Sequence, residues 1–389
     1  MSTTTQPHAG PDGAPPAPTA PAPTALTRYR TLGRSGLAVS PLALGAMTFG
    51  TDWGWGADDA TSRALFDRYL DAGGNFVDTA DGYTGGRSEE MLGRYVRDRG
   101  ARDRVVLATK FSFGAEPGNP NAGGNGRKNA RRALEGSLRR LGTDYVDLYW
   151  IHAWDTRTPA EEALRTMDDL VREGKVRYVG LSDVPAWYFA RWQTLAQAHA
   201  LTPAVALQLE YSLVERSIER EHLPAALELG AGVVPWSPLA SGFLSGKYRR
   251  NPDGSFEGGG ARLDVMKSSG NPVFEKFTVD RNWAVLDAVR AVADEVGRPV
   301  AQVALHWAAT RPGVASVLVG ATRPDQLDAN LAALDFTLPD ELRARLDAAS
   351  APEPGHPYLF FGPTMQAMLT GGVPVAAWHD QWGGARAGG

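Results

Sequence analysis

There is no cysteine in these 389 residues. Disulfides, thiolate nucleophiles and cysteine-held metals are therefore excluded, and the composition suits a reducing cytoplasm. Neither sign of charge dominates. The 40 basic and 44 acidic residues leave a formal net charge of −4, too mild for a nucleic-acid surface or an acidic tail. No stretch approaches the roughly 18 apolar residues that a membrane helix needs. Residues 1–27 lack both the apolar run and the early positive cluster of a signal peptide. From His8 to Thr24 they are Pro, Ala, Gly and Thr with a single acid, Asp12. Such a stretch cannot bury enough surface to offset its ordering entropy, which predicts a disordered tail over 1–27. The expectation is a cytoplasmic protein with neither a membrane nor a nucleic acid as partner.

What is present is a core. Hydrophobic residues make up 43% and charged residues 22%, close to globular averages. From residue 42 onward, short apolar runs alternate with helical patterns. The predicted strands are Leu42–Leu44, Asn75–Asp78, Val105–Thr109, Val146–Ile151, Val176–Leu181, Ala206–Leu209, Val233–Trp236 and Ser316–Val319. They are short and mostly apolar, as strands buried on both faces are. Between Arg127 and Leu141 a 3.6-residue period places Ala130, Ala133, Leu134, Leu138 and Leu141 on one face. Arg131, Arg132, Arg139 and Arg140 fall elsewhere and are expected in solvent. The next helix is expected to open on a capping box at Thr158, Pro159 and Glu161 and to end at Gly174.

Eight strands alternating with helices predict parallel βαβ units. Asp78, Lys110, His152, Ser182, Gln208 and the Trp236–Ser237 pair fall at the ends of strands two to seven in succession. A closed barrel brings so many strand ends around one centre more readily than an open sheet does. The prediction is an α/β protein over 28–350: a single-domain (β/α)₈ TIM barrel with its active site at the C-terminal ends of the strands. Two segments break the pattern. Residues 240–280 form a long connection after the seventh strand. Residues 351–389 follow the last helix and carry Tyr358, Phe360, Phe361, Trp378 and Trp382. Aromatics so close together are costly to leave in water, which makes this segment a candidate wall of the pocket.

Three of the strand-end residues, with Tyr83 in the loop just after Asp78, make a coherent chemistry. A carbonyl reduced by hydride needs a proton on its oxygen, and a phenol with a pKa of about 10 is a poor donor near neutrality. An ammonium beside it favours the phenolate. A carboxylate keeps that ammonium charged and in place. A neutral imidazole can orient the carbonyl. Tyr83, Lys110, Asp78 and His152 supply these parts in a relay that needs no metal. Taken singly, each has a plainer reading: a helix cap, a loop aromatic, a solvated strand-end charge, a satisfied polar residue. Together, in order at strand ends, they favour catalysis. Trp53, Trp55, Phe111, Trp154, Tyr358 and Phe361 are candidates for the pocket lining.

On these residues the chain resembles the aldo-keto reductases over roughly residues 28–350. The resemblance implies NADPH as cofactor, a small-molecule carbonyl substrate, and Asp78, Tyr83, Lys110 and His152 as the catalytic tetrad with Tyr83 as proton donor. It also implies a set of cofactor residues. Ser182, Asp183 and Gln208 would meet the carboxamide. Trp236, Ser237, Leu239 and Ser241 would form the segment whose aromatic ring stacks on the nicotinamide. Gly320, Arg323, Gln326 and Asn330 would take the adenosine 2′-phosphate and adenine. No glycine-rich dinucleotide fingerprint is expected in that family, and none is present. Asp183 stands where many members have Asn. An ionised Asp accepts from the carboxamide NH₂ but cannot donate to its oxygen. The long connection after strand seven and the Asp52–Trp55 region resemble the branch with bacterial aryl-alcohol dehydrogenase-like and sugar-reductase-like enzymes. Other readings are a Schiff-base lyase with Lys110 as nucleophile, a redox-sensing binding subunit like potassium-channel β subunits, and a nucleoside-diphosphate-sugar ketoreductase.

Overall fold

The computed structural model describes residues 25–251, 256–257, 273–353 and 355–375. The Pro- and Ala-rich stretch, part of the 240–280 connection, and Trp378 and Trp382 lie outside the described residues. Three residues expected in the tail are folded: Ala25–Thr27 form a 3₁₀ turn with Leu26 buried.

Eight strands form one parallel sheet: β1 (Leu42–Gly45), β2 (Phe76–Asp78), β3 (Val106–Phe111), β4 (Val146–Ile151), β5 (Val176–Ser182), β6 (Ala204–Glu210), β7 (Gly232–Trp236) and β8 (Val317–Val319). β8 pairs with β1, and each later strand pairs with the next up to β7. A parallel bridge from Val233 to Val314 completes the ring, with Val233 N–H donating to Gly313 O and Ala315 N–H to Val233 O, at 2.8 and 2.9 Å. The described helices of eight or more residues outside the ring are α1 (Asp59–Asp71), α2 (Arg87–Asp98), α3 (Arg127–Leu141), α4 (Ala160–Arg172), α5 (Ala186–His199), α6 (His222–Leu229), α7 (Asp280–Val296), α8 (Val300–Ala309), α9 (Pro324–Leu331) and α10 (Asp340–Ala349).

Side chains alternate across each strand, and the core divides accordingly. Leu42, Leu44, Val77, Leu107, Tyr149, Leu181 and Val233 belong to the large cluster shared with the helices. Ala43, Phe76, Ala108, Leu148, Trp150, Ala206, Val234 and Leu318 form a separate cluster inside the ring. An antiparallel hairpin, Arg30–Thr31 with Ala38–Val39, joins that inner cluster through Leu32 and Val39. Trp150 fits inside because its register partner on β5 is Gly180; a Cβ there would lie 2.2 Å from the indole.

α3 spans the predicted residues, with Ala130, Ala133, Leu134 and Leu141 buried. Arg140 is not simply solvated. It pairs at 2.7 Å with Glu89, whose side chain is fully buried. The capping box does not form. α4 has Pro159 at its N-cap without a side-chain hydrogen bond. Thr158 instead gives its N–H and hydroxyl to Asp155, at 2.9 and 2.6 Å. The loop acid caps the turn before the helix and so removes Thr158 from the helix end.

Candidate active site

The period-two alternation that fills the ring also builds the site. One inward position beyond the last apolar residue lie Asp78 after Phe76, Lys110 after Ala108 and His152 after Trp150. The same step leads from Gly180 to Ser182, Ala206 to Gln208, and Val234 to Trp236. The inward stripe of each of these six strands thus turns polar or amphipathic at the same end of the barrel.

The chain after β2 stays beside β3 before it turns. Thr79 N–H donates to Ala108 O and Asp81 N–H to Lys110 O, at 2.9 and 3.0 Å. The next turn brings Tyr83 back over Lys110. The lysine side chain is fully buried, and its ammonium donates to Asp78 Oδ2, to Thr79 O at 3.0 Å and to the Tyr83 hydroxyl oxygen at 3.1 Å. All three of its donors are therefore used. Gln208 donates to the other Asp78 oxygen at 3.1 Å. His152 lies edge-on to Tyr83, ring centres 5.8 Å apart. The four residues of the expected tetrad thus meet around one point.

Burial pulls the Lys110 ammonium down, but Asp78 and Tyr83 outweigh it and hold it above the usual lysine value. Burial together with Lys110 pushes His152 down to about 2, so its imidazole is neutral. At the Tyr83 phenol Lys110 acts in the expected direction. Burial raises the phenol above its ordinary value, and Lys110 opposes this only in part.

The residues expected at the cofactor occupy the remaining arc of the rim, at the ends of β5 to β8. Among the described residues, neither the buried Ser182 Oγ nor the buried His152 Nδ1 has a hydrogen-bond partner. Asp183 takes a positive φ of 45° and accepts from the Trp236 indole N–H at 3.1 Å. It is solvent-accessible at the rim; partial desolvation, opposed by the Trp236 hydrogen bond and helped by Glu210, raises its carboxyl to about 6. Ser237 and Ser241 are joined by a 3.0 Å bond from the Ser241 N–H to the Ser237 hydroxyl. Leu239 packs on the core. After β8, Asn330 donates to Gly320 O at 3.2 Å and Gln326 accepts from Thr322 N–H at 3.0 Å. Arg323 is exposed at the N-cap of α9 and pairs with Asp325 at 3.2 Å. Gln208 is the member of this set that the structure places against the tetrad.

The aromatic candidates separate. Phe111 is buried and stacks on Tyr149 at 4.9 Å. It belongs to the outward stripe of β3 and so leaves the pocket list. Trp154 packs edge-on against Trp187 of α5 at 5.4 Å. Tyr358 donates to Glu221 at 2.6 Å, beside the start of α6, while Phe361 leans on Tyr358 and stays exposed. Trp53 lies edge-on to Tyr83 at 6.3 Å. Two contacts were not read from the sequence: the Thr79 carbonyl on Lys110, and Phe113, whose ring is 4.7 Å from His152. The signal for Phe113 was its place in the loop directly after the third strand. Among the described residues, no group of His, Asp or Glu side chains is placed to hold a metal ion, and no helix is long and apolar enough to cross a membrane.

An eight-stranded parallel barrel with this cluster at its C-terminal rim defines a class of oxidoreductase. The chain belongs to the aldo/keto reductase family, whose model matches residues 41–351. It is 34% identical to the aryl-alcohol dehydrogenase (NADP+) of Phanerodontia chrysosporium, over 94% of this chain and 96% of that one. It is 35% identical to a norsolorinic acid reductase of Aspergillus flavus, over 89% and 88%. It is 38% identical to a probable voltage-gated potassium channel subunit beta of Oryza sativa subsp. japonica, over 79% and 91%.

Proposed function

We propose that this protein reduces an aldehyde or ketone to the alcohol with NADPH, Tyr83 giving the proton. The observation that carries the reading is the buried Lys110 ammonium held between Asp78 and the Tyr83 oxygen. Lys110 donates to that oxygen, so the phenol's own hydrogen remains free for a carbonyl oxygen. When the proton leaves, the phenolate is born 3.1 Å from a cation already in place, in a site where such an interaction exceeds its value in water. His152, neutral, offers a hydrogen bond that fixes the carbonyl. NADPH, when bound, supplies the hydride to the carbonyl carbon. The residues at hand suit it: the orphaned Ser182 hydroxyl and Asp183 for the carboxamide, Trp236 and the Ser237–Ser241 turn beside the nicotinamide. Arg323 at a helix N-terminus, with Gln326 and Asn330, suits a phosphate and the adenine. The printed names of the fungal relatives, a dehydrogenase using NADP+ and a reductase, support the assignment. The cysteine-free composition goes with a cytoplasmic location.

The rice relative's printed name, a channel subunit, goes with a second reading: a redox-sensing binding subunit of the same fold. NADPH consumption against a panel of aryl aldehydes, ketones and keto sugars separates the two. Steady consumption with at least one of them is expected. Tight NADPH binding with no consumption on the whole panel would turn the assignment to the sensor.

A further inference from the structure

We propose that Glu89 and Arg140 are positioning residues for the proton donor: a buried ion pair outside the strand ring that fixes the Tyr83 turn against the Lys110 strand. The inference rests on the reductase reading. Among the described ion pairs, two carry a carboxylate at most 2% exposed, Asp78 on Lys110 and Glu89 on Arg140. The first is part of the tetrad. The second takes no part in the chemistry, yet it is tied to the tetrad from behind.

Glu89 lies in the first turn of α2 and is completely buried. One of its oxygens accepts the Thr109 hydroxyl at 2.5 Å. The other accepts from the Arg140 guanidinium at 2.7 Å. Thr109 and Lys110 are consecutive on β3, so their side chains leave on opposite faces. Asp78 therefore grips the strand from inside the ring, and Glu89 grips the neighbouring residue from outside.

Arg140 carries this hold to the Tyr83 turn. In that turn Thr84, Gly85 and Gly86 are all left-handed, at φ 47°, 65° and 95°. The buried Thr84 hydroxyl anchors it on Phe49 O at 3.0 Å. Gly86 lies directly against Arg140. A Cβ there would sit 2.7 Å from Arg140 Cδ and 2.8 Å from its Nε, so only glycine lets the arginine run along the backbone of the turn. Asp81, two residues before Tyr83, faces the same cluster. Burial and Glu89 push its carboxyl up to about 7, against Arg140 and Arg132. Arg140 thus answers an acid of α2 and an acid of the turn at once.

A buried pair is a poor source of stability, since apolar residues of the same volume often serve as well. What this one fixes is distance. The hydrogen bond from Lys110 to the Tyr83 oxygen joins the turn to β3 on the inner side. Glu89 and Arg140 join the same two segments on the outer side. A donor displaced by about 1 Å loses roughly 100-fold in rate.

The test uses full-length wild type, Glu89→Gln, Arg140→Met, the double variant and Asp147→Asn. Asp147 is the control: it pairs with Arg102 at 2.7 Å at the start of β4, the end of the strand away from the tetrad. The double variant leaves no charge buried alone, so it folds where a single one does not. Each protein is assayed well below its own Tm. With an accepted aldehyde, kcat should fall roughly 10- to 100-fold in the first three variants, while KM and the Kd for NADPH stay near those of the wild type. Asp147→Asn should lower Tm and leave kcat unchanged. Wild-type kcat in the folded Glu89 and Arg140 variants overturns the inference, as does an equal loss in Asp147→Asn. The ¹³Cζ resonance of Tyr83, assigned by its loss in Tyr83→Phe, reads the Lys110 hydrogen bond without turnover. It should shift in the first three variants and hold still in the control. Where wild-type protein consumes no NADPH, the reductase reading alone fails and this resonance decides: no shift in any variant overturns the positioning role.

Discussion

Lys110 must remain an ammonium where water does not reach it. An isolated buried cation of this kind would lose its proton. Here Asp78 supplies the counter-charge, and the Thr79 carbonyl and Tyr83 oxygen take the other two N–H groups. That satisfaction argues against Lys110 as a Schiff-base nucleophile, which needs a free amine. The same scale yields a pH dependence at Asp183. Its carboxyl, pushed up to about 6, is a neutral acid below that value and offers both a donor and an acceptor, as an amide does. Above it, the carboxylate only accepts. Replacing Asp183 by Asn should therefore leave NADP+ affinity nearly unchanged at about pH 5 and improve it roughly fivefold at about pH 8, the worth of about one hydrogen bond. The 2′-phosphate also titrates in this range, so the quantity to read by calorimetry is the ratio of the two proteins' Kd values. A ratio that does not move with pH would remove Asp183 from cofactor recognition.

At the scale of elements, much was legible because each strand carries its instruction in two-residue steps. The run Phe76, Val77, Asp78 already says that Asp78 shares a face with Phe76, and Ala108 says the same of Lys110. That stripe gave the barrel and gathered the tetrad. Followed one step further it also excludes Phe111, which shares its face with Leu107 and Thr109. What was not legible depends on partners distant in sequence. Arg140 reads as a solvated helix residue until Glu89 is found beneath it. Thr158 reads as a cap until Asp155 claims it. That burial opposes Lys110 at the Tyr83 phenol is equally hidden. The C-terminal segment was legible only as something that must dock. Its Tyr358 reaches Glu221, and Arg220 lies over the tyrosine ring. Among the described residues from 351 to 375, none is fully buried. Truncation after Ser350 should accordingly leave a barrel that unfolds cooperatively and still binds NADPH. As a wall of the pocket, the segment's loss should raise KM or alter substrate preference. A truncated protein with the same substrate profile and only a lower Tm would limit the segment to stabilising the barrel.

At the scale of the whole molecule, the rim divides its labour. The ends of β2 to β4 carry the tetrad, and the ends of β5 to β8 carry the residues assigned to the cofactor. Gln208 bridges the two through Asp78. The outer end of the second arc is Arg323, whose present partner Asp325 forms an exposed pair of small worth and is readily exchanged for a phosphate. Charge-assisted bonds to a 2′-phosphate, at about 1.5–3 kcal/mol, give a preference for NADPH over NADH of roughly 10- to 150-fold. Titration of both cofactors against wild type and Arg323→Ala checks this. The preference should be present in the first and largely lost in the second; equal affinities in the wild type would contradict it.

The central claim is that this arrangement exists to protonate a carbonyl oxygen through Tyr83. The most direct measurement is NADPH oxidation with an accepted aldehyde by Tyr83→Phe, beside a titration of NADPH binding to the same variant. The phenyl ring keeps the edge contact with His152 and loses only the hydroxyl. Turnover should fall by about 10²–10⁴-fold, the scale of a lost general acid, while NADPH affinity stays near that of the wild type. Undiminished turnover in Tyr83→Phe would contradict the account.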